Sequence, residues 1–137
     1  MGSQISPLND AEFLQQFENK TLNPVYFNHL GHMRLAWLYL DNNSLSAALE
    51  LTCHGIKGYA ESLGANDKFH LTLTDAIVRI MAKRRSLMNE KSWNLFQQQN
   101  FDLINDFQSV LQRYYSQEIL SSDAARNCLI DPDIKSI

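Results

Sequence analysis

Glycine and proline are scarce in this chain, with five and three respectively among 137 residues. Nowhere do two runs of alternating apolar residues flank a hairpin dipeptide, which argues against a β-sheet. The two cysteines, Cys53 and Cys128, lie far apart and lack the C-x-x-C spacing of zinc knuckles and redox motifs. A disulfide between them is compatible with the sequence but is not implied by it.

Long apolar runs and an excess of basic charge are also missing. The longest apolar stretch, residues 35–40, is far shorter than the roughly twenty residues of a membrane-spanning helix, so no membrane partner is expected. Residues 1–7 have neither the positive nor the apolar region of a signal peptide, which favours a cytoplasmic protein. The net charge of -3 does not favour nucleic acid as a partner. Glycine-rich phosphate loops are absent, and we expect no nucleotide cofactor.

Helical periodicity fills most of the chain and predicts an all-α fold, a single compact bundle of about five to seven helices with short connections. Predicted helices begin near residues 9, 27, 45, 66, 92, 101 and 122. We expect one domain over residues 1–137, with irregular tails at 1–8 and 132–137. The residues that predict helix ends are the N-caps Asn9, Ser44, Ser92 and Ser122 and the C-terminal stop Gly64.

Two histidines at a spacing of three, His29 and His32, begin the second predicted helix. Such a pair lies on one helix face and can share a metal ion when a third ligand comes from another helix. His70 is the candidate for that ligand, and Glu50 or Asp75 could complete the shell. The sequence therefore predicts a site for Zn, Fe or Cu, although histidines at this spacing also serve as hydrogen-bonded caps.

The fourth histidine and the cysteines add nothing to this site. His54 stands alone in the third predicted helix, and a lone histidine is more often a surface or core residue than a ligand. Neither cysteine has a partner that would activate it as a nucleophile, since the side chains of Cys53 and His54 diverge by about 100° on a helix.

Several aromatic and polar side chains could line a pocket for a small ligand. Arg34 suits bidentate recognition of an anion, and Thr72 could orient a histidine ring or a bound water. The alternative is that the aromatic rings pack the core while hydrogen bonds satisfy their polar tips. The candidate substrate-binding residues are Arg34, Trp37, Thr72, Tyr114 and Tyr115.

Three motifs follow one another along the chain: aromatic-x-H-x-x-H-x-R-x-A-W at 27–37, aromatic-H-x-T-x-T at 69–74 and Y-Y-S at 114–116. With the L-S-S-D-A-A-R segment at 120–126 and a P-D pair, this set resembles a family of uncharacterised small bacterial all-helical proteins. The resemblance covers residues 26–133 but implies no reaction. Members carry a proline-rich tail after the P-D pair, whereas this chain has I-K-S-I. The pattern falls on His29, His32, Arg34, Trp37, His70, Thr72, Thr74, Tyr114, Tyr115 and Ser116.

Three functional hypotheses follow from these residues. The first is a metal-dependent protein, either a small metalloenzyme or a metal-binding protein, whose three imidazoles leave a coordination position open. The alternative is a non-enzymatic helical domain that binds a small molecule or a partner, with its histidines in a hydrogen-bonded polar cluster. The third is a metal-free acid/base enzyme that uses His32 or His70 with a tyrosine. The reaction type and the oligomeric state stay open.

Overall fold

The computed structural model describes residues 7–137, and over this range it is helical, with no β-strand. The predicted all-α class is therefore confirmed. No helix within these residues combines the length and the apolar character needed to cross a membrane. The chain divides into two compact units, one ending at Phe69 and the other running from His70 to Ile137. The single domain and the single bundle stay predictions.

The first unit contains three α-helices: α1 (Asp10–Glu18), α2 (His29–Asn42) and α3 (Leu45–Ser62). Short 3₁₀ helices at Pro24–Tyr26 and Asn66–Lys68 complete it. Helices α2 and α3 pack against each other, and α1 packs against both. The sequence explains their starts, because Asn9, Asn28 and Ser44 each accept a backbone N–H of the first turn with their side chains.

Aromatic rings hold the centre of the first unit together. Phe17 lies 5.1 Å from Phe27 and 5.4 Å from Tyr59, measured between ring centroids. The Tyr59 hydroxyl donates to the Leu22 carbonyl at 2.7 Å, so the polar tip of this buried ring is satisfied. This cluster ties the end of α1 to α3.

The second unit begins with α4 (Leu71–Ser86), which packs against α9 (Asp123–Asn127). Between them lie four short helices: α5 (Trp93–Gln99), α6 (Phe101–Asn105), α7 (Phe107–Leu111) and α8 (Gln117–Leu120). Residues 128–137 form no helix, and we call them the C-terminal segment. The tail predicted at 132–137 is thus irregular, as are residues 7 and 8, whereas residues 1–6 lie outside the described part.

Two helix boundaries differ from the prediction. The helix expected from Asn66 begins at Leu71, because residues 66–68 form a separate 3₁₀ turn and the His70 side chain provides the N-cap. The helix expected from Phe101 is interrupted at Asp106, whose backbone leaves the helical region at φ -144 and ψ 43. The Asp106 carboxylate there accepts the Ser109 hydroxyl, one of the local bonds with which aspartate competes against a continuous helix.

Candidate functional site

His70 uses both of its ring nitrogens within the second unit. Its Nδ1 accepts the backbone N–H of Leu73 at 3.1 Å, which caps α4. The proton must then sit on Nε2, which donates to the Leu120 carbonyl at 3.0 Å. A metal ion needs a nitrogen lone pair, and in this arrangement neither nitrogen offers one.

His32 is also engaged by its surroundings. Its Nδ1 lies 2.7 Å from the Asn28 carbonyl, and its ring stacks on Phe27 with the centroids 4.1 Å apart. Burial is the main cause that lowers the pKa of His32, and the neighbouring His29 lowers it further. The environment therefore favours a neutral imidazole.

The predicted metal-dependent function is wrong. Among residues 7–137, no three His, Cys, Asp or Glu side chains are placed so that they could hold one metal ion. His29, His32 and His70 therefore do not form the predicted Zn, Fe or Cu site. The physical reason is clearest at His70, whose nitrogens serve the fold as a helix cap and a tether.

Arg34 and Trp37 both contribute to the packing of the first unit. Arg34 donates to the Asp10 carboxylate at 2.8 Å and to the Leu8 carbonyl at 2.9 Å, and its guanidinium lies 4.4 Å from the centre of the Phe13 ring. Trp37 is only 4% exposed. Arg34 thus recognises a carboxylate as predicted, but that carboxylate belongs to the protein. A ligand role for these two residues stays a prediction.

Thr72, Tyr114 and Ser116 hold the C-terminal segment in place. The buried Thr72 hydroxyl donates to the Cys128 carbonyl at 2.7 Å and accepts the N–H of Ile130 at 3.0 Å. The Tyr114 carbonyl accepts the N–H of Ile134 at 2.9 Å. Three of the ten motif residues, Thr72, Tyr114 and Ser116, therefore tether the C-terminal segment.

A further tether joins Ser116 to Asp133. The Ser116 N–H donates to the Asp133 carboxylate at 2.8 Å. Hydrogen bonds from the hydroxyl and the backbone of Ser116 hold the pKa of Asp133 below its ordinary value. The carboxylate therefore stays charged over a wider pH range, and the tether persists with it.

The tethered segment lines a cavity of 340 Å³ in the second unit, which we call the C-terminal pocket. Helix α4 contributes Asp75 and Arg79, one turn apart, and Tyr115 comes from the turn after α7. Asp131 contributes a second carboxylate from the C-terminal segment. The remaining lining is mostly apolar and comprises Leu129, Ile130, Pro132, Ser136 and Ile137.

Two polar groups of the C-terminal pocket are buried, whereas Arg79 is partly exposed and Asp131 is exposed. Asp75 is 6% exposed and Tyr115 is 1% exposed. The Arg79 Nε–H donates to Asp75 Oδ1 at 2.6 Å, and this bond raises the pKa of Arg79. Burial, followed by the negative charge of Asp75, raises the pKa of Tyr115 to about 12, to which Asp131 and Asp133 add. The phenol therefore stays protonated and lies in a negative potential.

The sequence pointed to only part of this pocket. Tyr115, a predicted ligand contact, does line the cavity, and so does Asp75, which the sequence offers as a residue of a metal shell. Arg79 and Asp131 were missed. The spacing of Asp75 and Arg79 was a usable signal, because opposite charges four residues apart face each other on a helix. No pattern in the neighbouring sequence indicates that Asp131 lies near α4.

His54 does not line this pocket. It is exposed on α3 and lines a separate groove of the first unit. Comparison with known proteins adds nothing to these observations, since no family model, no curated protein and no solved structure matches the chain.

Proposed function

We propose that the C-terminal pocket binds a small organic cation, an amine with a short apolar body. The observation that carries this proposal is the buried pair of Asp75 and Tyr115, which faces a cavity that also holds Asp131. Arg79 pairs with the buried Asp75 through one carboxylate oxygen, and buried ionisable groups that line a cleft are frequent marks of a ligand site.

The charge of the lining favours a cation. Two carboxylates, Asp75 and Asp131, stand against one guanidinium, Arg79, which leaves one formal negative charge. Arg79 engages Oδ1 of Asp75, so Oδ2 is the oxygen that a ligand ammonium would approach. The Tyr115 hydroxyl can accept a further N–H, while Ile130 and Pro132 provide an apolar wall.

The size of the cavity and the state of the tyrosine favour binding over catalysis. A volume of 340 Å³ lies at the lower end of the range of small-molecule sites, about 300–1,000 Å³. With a pKa of about 12, Tyr115 is a hydrogen-bonding group and a poor general base near neutral pH. We therefore propose a non-enzymatic ligand-binding role.

Other features of the protein remain proposals beside this one. We propose that neither nucleic acid, nor a membrane, nor a nucleotide cofactor is a partner, given the net charge of -3 and the lack of phosphate-binding loops. A cytoplasmic location and kinship with the bacterial helical family also stand as proposals, the latter supported by the ordered motifs alone.

Calorimetric titration with butylamine, with butanol as the neutral ligand of similar size, tests the binding proposal. We expect the amine to bind and the alcohol to bind at least about tenfold more weakly, because a charge-assisted hydrogen bond contributes about 1.5–3 kcal/mol. Equal affinities for the two ligands, or no heat from the amine, would contradict the proposal.

A matched pair of variants localises the site. Asp131→Asn removes the more exposed carboxylate of the pocket, and we expect amine affinity to fall by about threefold to tenfold, since solvent screens an exposed charge. Asp123→Asn changes an exposed aspartate on α9 that does not line the pocket, and affinity should stay within about twofold. An equal loss in both variants would mean a general charge effect and would refute the proposed site.

A further inference from the structure

A groove of 530 Å³ runs along α3 in the first unit and shares no lining residue with the C-terminal pocket. We call it the α3 groove. Its α3 residues follow one another at helical spacings and therefore form one stripe along the helix: Ala47, Glu50, Leu51, His54, Gly55 and Gly58. The stripe alternates charged, apolar and polar groups, so a ligand lying along α3 would meet different chemistry at each turn.

The floor of the groove depends on Gly55 and Gly58. A Cβ atom at Gly55 would lie 2.8 Å from Phe17 Cε2, which is too close for two carbon atoms. At Gly58 a Cβ would lie 3.3 Å from Cε of Lys20. Both glycines let the end of α1 approach α3 closely, which brings the side chains of Phe17 and Lys20 to the groove.

One end of the groove is acidic. The Tyr39 hydroxyl donates to Glu18 Oε2 at 2.8 Å and so orients this carboxylate. Burial and the bond to Glu18 both raise the pKa of Tyr39, so the phenol remains a donor at physiological pH. Because α2 ends at Asn42 and α3 begins at Leu45, Tyr39 lies beside the first turns of α3. Glu50 lies in the second turn of α3 and also lines the groove.

The other end of the groove is basic. Lys20 lies against Gly58, with its Nζ 3.7 Å from the position of a Cβ there. The backbone of Lys20 is left-handed at φ 61, which L-residues with side chains adopt at a cost. Glycine is the usual residue at such a helix end. A lysine in this position therefore gives the groove a cation that local backbone preferences do not explain.

The spacing of the two ends sets the length of a ligand. Glu50 and Gly58 are eight residues apart, which corresponds to about 12 Å along a helix axis. A charge-assisted contact takes about 2.8 Å at each end, which leaves about 6 Å between the charges of the ligand. A dipeptide spans about 7 Å when extended. His54 lies halfway and offers ring nitrogens to a polar group in the middle of the ligand.

We propose that the α3 groove binds a short zwitterion of dipeptide length. Its ammonium binds Glu50, its carboxylate binds Lys20, and its body crosses Leu51 and the Phe17 ring. The amide of a dipeptide lies beside His54, which distinguishes it from an aliphatic amino acid of equal length. Short peptides with free termini are therefore the ligand class, and their side chains face the open mouth of the groove.

Titration of alanylalanine, followed by amide chemical shifts, tests the class of ligand. We expect shifts in α3 around His54, and an affinity at least tenfold lower for both the N-acetyl and the C-terminal amide derivatives, because each lacks one charge. ε-Aminocaproate has both charges but no central amide, and we expect it to bind more weakly than alanylalanine by about threefold. Binding of the two blocked peptides as tight as that of the free one would overturn the proposal, and so would an absence of shifts.

Two variants with matched controls locate the charges. Lys20→Met should bind alanylalanine no better than the wild type binds the C-terminal amide, and Glu50→Gln should reduce affinity at least threefold. Lys57→Met and Glu61→Gln change exposed residues of α3 that do not line the groove, and their affinities should stay within twofold of the wild type. Equal losses in the controls would overturn the site. Circular dichroism of each variant establishes that it is folded before its affinity is interpreted.

Discussion

Thr72 and Ile130 are joined by a hydrogen bond of 3.0 Å from the backbone N–H of Ile130 to the Thr72 hydroxyl, across 58 positions of sequence. The same hydroxyl donates to Cys128, so one buried side chain satisfies a donor and an acceptor of an irregular segment. Irregular backbone needs such partners because it has no ladder of its own. The wall of the C-terminal pocket therefore depends on a residue of α4.

Replacing Thr72 by valine should loosen the C-terminal segment. Valine keeps the shape of threonine but removes both hydrogen bonds, and we expect the free energy of unfolding to fall by about 1–3 kcal/mol. Amide hydrogen exchange should rise at residues 128–135. Thr72→Ser keeps the hydroxyl and should protect these amides as the wild type does. Unchanged exchange in the valine variant would show that the other tethers are sufficient.

Lys20 and Gly64 occupy equivalent positions in two helix terminations. In each case the residue is left-handed and the next N–H bonds back to a carbonyl of the last turn, Thr21 to Gln16 and Ala65 to Ala60. We expect Lys20→Gly to raise the free energy of unfolding by about 0.5–1 kcal/mol, as it relieves a strained φ.

The reverse change provides the control. Gly64→Ala meets no atom within 4 Å, so any cost comes from the backbone alone, and we expect a loss of about 1 kcal/mol. Urea unfolding of both variants measures these changes. If Lys20→Gly proved destabilising, the lysine side chain would contribute packing that exceeds the backbone strain.

His32 should make the protein sensitive to mild acid. Burial lowers its pKa in the folded state below the ordinary 6.5, so the unfolded chain binds the proton first as pH falls. Stability is therefore complete above pH 6.5 and declines as the pH falls from there through the folded pKa. His32→Gln retains a donor for Asn28 but does not titrate, and its stability should fall less between about pH 7.5 and pH 5.5.

The comparison at about pH 8 serves as the internal reference, because His32 is neutral in both states there. Any difference between variant and wild type at that pH is the cost of the substitution itself. Melting temperatures over the pH series provide the measurement. If the melting temperatures of the two proteins fell in parallel as the pH decreased, a group other than His32 would cause the loss of stability in acid.

His70 should behave as a helix cap. His70→Ala removes the acceptor for Leu73 N–H and the bond to Leu120, and we expect a loss of about 1–2 kcal/mol in unfolding free energy. Asparagine is a strong N-cap, and His70→Asn should recover part of that loss. Unfolding of the two variants in guanidinium chloride measures these free energies. An asparagine variant no more stable than the alanine variant would indicate that the Leu120 bond dominates.

Thr52 offers a stabilising substitution. Its side chain is fully buried in α3, and its hydroxyl has no hydrogen-bond partner among the described residues. Thr52→Val removes that polar atom at nearly constant volume, and we expect the free energy of unfolding to rise by up to about 1 kcal/mol. Thermal unfolding measures the change, with Thr52→Ser as the variant that keeps the hydroxyl. A less stable valine variant would contradict this prediction and would mean that the Thr52 hydroxyl contributes a hydrogen bond in the folded protein.

Helix starts and stops were the most predictable part of this protein. Asn9, Ser44, Ser92 and Ser122 cap helices as their residue types indicated, and Gly64 adopts the left-handed backbone expected of a stop. Each of these features involves atoms within about one turn of chain, so the local sequence contains the information. The all-helical class follows from the same local signals.

The role of a side chain with distant partners could not be obtained this way. The histidine spacing predicted a metal site, but the tautomer of His70 is set by a carbonyl 50 residues away, at Leu120. At Asp131 the sequence failed to predict a site residue. No local pattern links Asp131 to Asp75 and Arg79, although all three line one cavity.

The sequence by itself therefore determined where helices begin and end, because caps and periodic apolar residues act over a few residues. The tertiary structure alone decided which polar groups form hydrogen bonds that stabilise the fold and which line a cavity. The physical reason is that hydrogen-bond donors and buried charges pair with the groups that the folded chain brings within about 3 Å, regardless of separation in sequence.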